Sequence, residues 1–162
     1  EVLQVMATPA VDTLRQRIKH YSDRGVLQGF SESQNRRGKT TFKFRWLLGH
    51  EFSLTLDPAK GELKVSNLLP CIVNRSFIDL DLRKFIAART DTKLPAHRRL
   101  DAARATLIYT NRKQQVSLVM SPQKDQYAYA IKTLFTILND LFAYLHLYHI
   151  DYLQRNFGVP EE

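Results

Sequence analysis

The chain has 162 residues, 44% of them hydrophobic and 25% charged, so it can bury one substantial core and is too apolar to be a disordered segment. Its single cysteine, Cys71, excludes an internal disulfide and a cysteine-built zinc site, and is expected to be a buried, inert thiol. A formal charge of +8 at pH 7 favours acidic partners, although charge alone also serves solubility.

Residues 1–11 are read as a flexible or loosely packed segment of a single domain spanning 1–162. Asp12 is placed to N-cap a helix whose apolar positions Leu14, Ile18 and Tyr21 follow a helical spacing, and Gly25 suits a left-handed cap at its end. A meander follows. Val26 to Ser31 reads as a strand, Gln34 to Lys39 as a turn, and Thr40 to Leu47 as a second strand in which Phe42, Phe44 and Trp46 alternate with Thr41, Lys43 and Arg45. Phe52, Leu54 and Leu56 give a third strand. Asp57-Pro58-Ala59-Lys60-Gly61 is a turn, since Pro58 presets φ, Asp57 can accept from the following backbone and Gly61 tolerates positive φ. Leu63 and Val65 mark a fourth strand. Period-2 alternation predicts that Trp46 and its apolar neighbours share one core while Lys43, Arg45 and Lys64 face water.

Ser76 or Asp79 can cap a second helix with the apolar stripe Ile78, Leu82, Phe85 and Ile86. Residues 90–99 are ambiguous, with Pro95 able to open a helical turn. Ala105 to Tyr109 and Val116 to Met120 form a second hairpin across a polar link. From about Lys124 to about Phe157 the sequence predicts one long helix, where Tyr127, Ile131, Leu134, Leu138, Leu141, Leu145, Tyr148 and Tyr152 recur at steps of four and three. Phe135 and Phe142 widen this stripe on one side, Ile137 and Tyr144 on the other. The arc is broader than one sheet contact needs. One flank is therefore expected to meet a partner polypeptide or a second copy of the chain; the competing expectation is that the shorter helices enclose it.

The fold class that emerges is α+β, a two-layer arrangement of a twisted antiparallel sheet on helices, in the order α-β-β-β-β-α-β-β-α. That order, from about Asp12 to Phe157, resembles the secretion-chaperone-like architecture. The resemblance implies a binding role, holding a partner polypeptide without performing chemistry.

The basic charge is concentrated. Residues 13–45 hold nine Lys/Arg against Asp23 and Glu32, and residues 83–113 hold nine against Asp91 and Asp101. Arg36, Arg37, Lys39, Lys43 and Arg45 are the candidate anion-binding residues of an alternative reading, sequence-tolerant binding of nucleic acid through phosphate. The strand aromatics fall on the apolar face, so no stacking platform accompanies them. His146 and His149, three apart, could share a metal, but nothing announces further ligands and no metal or other cofactor is expected. Asp79 and Asp81 are explained by the helix N-terminus. No phosphate loop, nucleophile elbow or zinc-protease motif is present, and neither an enzyme nor a small-molecule substrate is expected. The N-terminus lacks signal-peptide features, and Asn139, Asp140 and His146 interrupt the longest apolar run, so the expectation is a cytoplasmic protein without a membrane partner.

Overall fold

The computed structural model describes residues 2–160. Its elements are α1 (Val2–Asp23), β1 (Gln28–Gln34), β2 (Thr40–Trp46), β3 (His50–Asp57), β4 (Glu62–Leu69), α2 (Phe77–Ala87), β5 (Ala105–Arg112), β6 (Gln115–Pro122), α3 (Tyr127–Tyr148) and α4 (Ile150–Phe157). The strands make one antiparallel sheet in the order β1-β2-β3-β4-β6-β5. This is the α+β order read from the sequence, with the helices on one face.

Alternation decides that face. Phe42, Phe44, Phe52, Leu54, Leu56, Leu63, Val65, Leu118 and Met120 are buried, while Lys43, Arg45 and Lys64 point to water. Trp46 is half-buried, packed on the core rim rather than within it. Register explains the agreement along the meander: Phe44 pairs with Phe52 and Leu54 with Val65, so apolar side chains meet across strands. The turn after β3 forms as its residues require. Asp57 Oδ1 accepts from the N–H groups of Ala59 and Lys60 at 3.1 and 3.3 Å, and Gly61 has φ +65°.

Several boundaries differ. The first helix does not start at Asp12 but runs from Val2, and Asp12 instead receives Arg15 Nη1 at 2.7 Å. Its end is as expected: Gly25 has φ +76°, its N–H reaches Ser22 O at 3.0 Å, and Val26 N–H reaches Tyr21 O at 2.9 Å. These are the two bonds of a Schellman cap. Thr90 ends a short 3-10 helix, Ala88–Thr90, and residues 91–99 form turns, one of them opened by Pro95 with Arg98 N–H on Pro95 O at 2.9 Å. The second hairpin is longer than its apolar runs. Only Lys113 and Gln114 turn the chain, at φ +52° and +64°. Positive φ at both central positions is the type I′ geometry, which no Asn-Gly pair announced.

The long C-terminal helix is two helices. His149 leaves helical geometry at φ −138° and ψ 42°, and its N–H caps Leu145 O at 2.8 Å. Its ring is held by Asp81 of α2, Nε2 to Oδ2 at 2.6 Å. An apolar pattern cannot register this polar anchor on another element.

α3 is the central helix of its layer. Phe135 lies against Tyr21 of α1 and Trp46 of β2, with ring centroids 5.0 and 5.3 Å apart. Phe142 lies against Phe52 and Phe157 at 5.8 and 5.7 Å, and Tyr144 against Phe85 of α2 at 4.7 Å. Thus α1 covers one flank, α2 the other, and α4 closes the end. Burying each such ring contributes roughly 1.5–3 kcal/mol. No helix among the described residues is long and apolar enough to cross a membrane.

Candidate functional site

Two carboxylates seat α2. Ser76 Oγ accepts Asp79 N–H at 3.3 Å, which caps the helix, and Asp79 itself is fully buried. The carboxylate accepts Arg75 N–H at 2.9 Å, Arg83 Nε at 3.1 Å, Tyr109 Oη at 2.7 Å and Asn111 Nδ2 at 3.0 Å. Burial alone would raise its pKa, but these donors, Asn111 foremost, outweigh it and hold the carboxyl down at about 2. Asp81, two residues on, faces the opposite way. It accepts Tyr144 Oη at 2.9 Å and holds His149. Burial opposes ionisation there too, and the bonds from His149 and Tyr144 still lower the Asp81 pKa. Tyr144 is pushed up to about 12, first by burial and then by its bond to Asp81. The two aspartates are therefore fasteners on opposite sides of α2, one to the sheet and one to α3, and do not form a paired-carboxylate site.

The two helices they join carry exposed apolar side chains at their ends. Phe77 is 81% exposed, Leu147 73%, Tyr148 67%, Val73 55% and Leu80 49%. Phe77 opens α2 and Leu80 lies one turn on; Leu147 and Tyr148 close α3. The Phe77 ring is 6.1 Å from His149, and Val73, Tyr148 and Ile150 line one cleft. Arg155 and Asp151 line the cleft, and Arg75, just before α2, and Lys84, on α2, are exposed. Monomers seldom leave large apolar side chains exposed side by side, as Val73 and Tyr148 are in this cleft. A second consequence is chemical: Cys71 lines the same cleft and is exposed, contrary to the buried thiol expected. It sits in the loop after β4, at φ +57°.

The flank expected to meet a partner is occupied by the chain itself. Ile137 is 0% exposed and Phe135 and Phe142 5% each, while Tyr144 is half-buried and bonded to Asp81. Tyr21 of α1 and Phe85 of α2 lie against these flanks, with Phe52 of β3 and Phe157 of α4 on Phe142, while Leu147 and Tyr148 at the end of α3 stay exposed. The exposed end residues were missed although a signal existed. Phe77 and Leu80 stand off the Ile78-Leu82-Phe85-Ile86 stripe, and Leu147 stands off the four-and-three repeat. An apolar residue on a helix's polar side is the informative exception.

The candidate anion-binding residues do not converge. Arg36 and Arg37 occupy the β1–β2 turn, Lys43 and Arg45 point from the open sheet face, and Lys39 approaches Asp57 at 3.6 Å. Arg45 lies five residues along β2 from Thr40, about 17 Å from the turn end. The strand order puts β1 at one edge and β5 at the other, so the strands of the two basic segments lie apart, and the segments meet instead where Arg98 shares a cleft with Tyr21 and Val26. Phe30 stacks on Phe42 and Tyr109 bonds Asp79, which leaves both rings on the helix side. His146 and His149 also part company: His146 lines a cleft with Leu47 and Leu48, His149 the cleft with Cys71. No group of three or more His, Cys, Asp or Glu among the described residues is placed to hold a metal ion. No protein-family model, curated protein or solved structure matches the chain.

Proposed function

We propose that the chain is a non-catalytic protein-interaction module that holds a partner polypeptide, in a chaperone-like manner, at the corner where α2 meets the end of α3. The observation that carries this reading is the exposure of Phe77, Leu80, Leu147, Tyr148 and Val73 on a scaffold fastened by two buried or half-buried carboxylates. A rigid scaffold lowers the ordering cost of binding. Each large side chain newly covered there contributes roughly 1.5–3 kcal/mol before association costs. The rim of Arg75, Lys84 and Arg155 selects the partner's chemistry. Two copies of this chain would bring like-charged rims together, so the occupant is an apolar segment flanked by Asp or Glu.

Fluorescence anisotropy of a labelled amphipathic peptide tests this. A peptide with a leucine face and glutamate flanks should bind, and one with lysine flanks should bind roughly tenfold more weakly or worse. Phe77→Asp with Tyr148→Asp should abolish binding without unfolding the chain, since both side chains are exposed. Equal affinity for both peptides, or full affinity in the double variant, would remove this reading.

A further inference from the structure

A different cleft, on the far side of α3 from α2, is built from the parts that recognise a small planar ligand. Tyr21, Val26, Trp46, Phe135 and Lys132 line it together with His97 and Arg98, and its volume is about 400 Å³. Sites for small molecules run from roughly 300 to 1,000 Å³ and combine an apolar body with a few polar groups. This cleft has that composition, and each part is positioned by local structure.

The aromatic wall has three rings. Phe135 is its buried centre, with Tyr21 and Trp46 tilted against it at 54° each, their centroids 5.0 and 5.3 Å away. Both outer rings are half-buried, so each keeps surface for a ligand. Trp46 is backed by Phe52 at 5.4 Å. The Schellman cap of α1 places Tyr21 and Val26 side by side, because Val26 N–H bonds Tyr21 O.

The polar wall comes from α3 and from the connection between α2 and β5. Lys132, Phe135, Thr136, Asn139 and Asp140 share one helical face by their spacing and all line the cleft. His97 and Arg98 stand on a connection pinned at its base by Leu100 N–H on Arg89 O at 2.8 Å, with Leu100 buried. Charge then selects the ligand. Arg98 and Lys132 are exposed cations, and the one carboxylate, Asp140, is within electrostatic reach of Arg89. A bound cation would meet two positive side chains at the mouth. An anion would be stabilised by them.

We propose that this cleft binds a planar aromatic anion, its ring against Trp46 and Tyr21 and its phosphate or carboxylate on Arg98 and Lys132. This site is independent of the apolar corner and stands or falls separately from it.

Trp46 is the only tryptophan in the chain, so its fluorescence reports this cleft directly. Adenosine monophosphate and benzoate, each titrated to about 1 mM, are the probes for a phosphate and a carboxylate anion. At least one should quench Trp46 saturably, and which one does identifies the anionic group. Adenosine and benzamide, the uncharged counterparts, should bind roughly tenfold more weakly or worse, as should the anions to the Arg98→Ala, Lys132→Ala double variant. Both substituted side chains are exposed, so circular dichroism should be unchanged. Asp140→Asn should leave affinity equal or higher. No saturable quenching by either anion, inorganic phosphate competing as well as the aromatic anions, or unchanged affinity in the double variant would overturn the proposal.

Discussion

Replacing Asp79 by asparagine removes one charge from a site where four donors converge, and the consequence is a pH dependence. Its folded pKa, about 2, lies below the ordinary carboxylate value. The stabilisation is therefore complete above the unfolded pKa and is lost as pH falls through the folded one. A shift of that size contributes roughly 2–3 kcal/mol at neutral pH, declining between about pH 5 and pH 2. Urea unfolding at pH 7 and pH 3 should show a larger loss for the natural protein than for Asp79→Asn, because other carboxylates cancel in the comparison. Equal losses would mean that the donors do not hold the charge. Asp79→Ala, which strands Tyr109 Oη and leaves Asn111 Nδ2 with Ile72 O alone, should cost roughly 3–5 kcal/mol at pH 7. His50 works at the other end of the scale. Burial lowers its pKa, and its ring packs edge-on to Phe52 and Phe157 with Nε2 unpartnered. A histidine kept neutral by burial costs stability as pH falls from above its unfolded value of about 6.5 through the lowered one. His50→Phe should flatten the urea midpoint between pH 7 and pH 5; an unchanged slope there would assign the effect elsewhere.

Among the elements, those defined by their own side chains were legible. Alternation in β2, β3 and β4 gave the sheet face, Ser76 gave the α2 cap, and Gly25 gave the end of α1. Those defined by a distant partner were not. The break at His149 depends on Asp81, and the β5–β6 turn depends on strand pairing that forces Lys113 and Gln114 to positive φ. That turn is a site of stored strain, since such residues disfavour the left-handed region. Lys113→Asn with Gln114→Gly supplies the residues that a type I′ turn prefers and should raise stability by about 1 kcal/mol. Chemical denaturation measures it, and a loss of stability would show that the two side chains make contacts worth more than the strain. Ser76→Ala should cost about 1 kcal/mol through the lost cap.

For the whole molecule, the sequence showed that α3 carried more apolar surface than one sheet contact could use, and the structure shows where it went. α1, α2 and α4 enclose it. Apolar surface is left exposed at the ends of α2 and α3, where Phe77, Leu80 and Leu147 lie off their helices' main stripes and Tyr148 ends its own. Three-dimensional gathering of those ends could not be read from periodicity along either helix, nor could the meeting of Trp46 with Arg98, more than fifty residues apart. The partner-binding corner is best tested by titrating isotopically labelled protein with the glutamate-flanked peptide and following backbone amide shifts. Saturable changes confined to residues around Val73, Phe77, Leu80, Leu147 and Tyr148 are predicted. Changes centred on the open sheet face or the β1–β2 turn, or no changes, would contradict it.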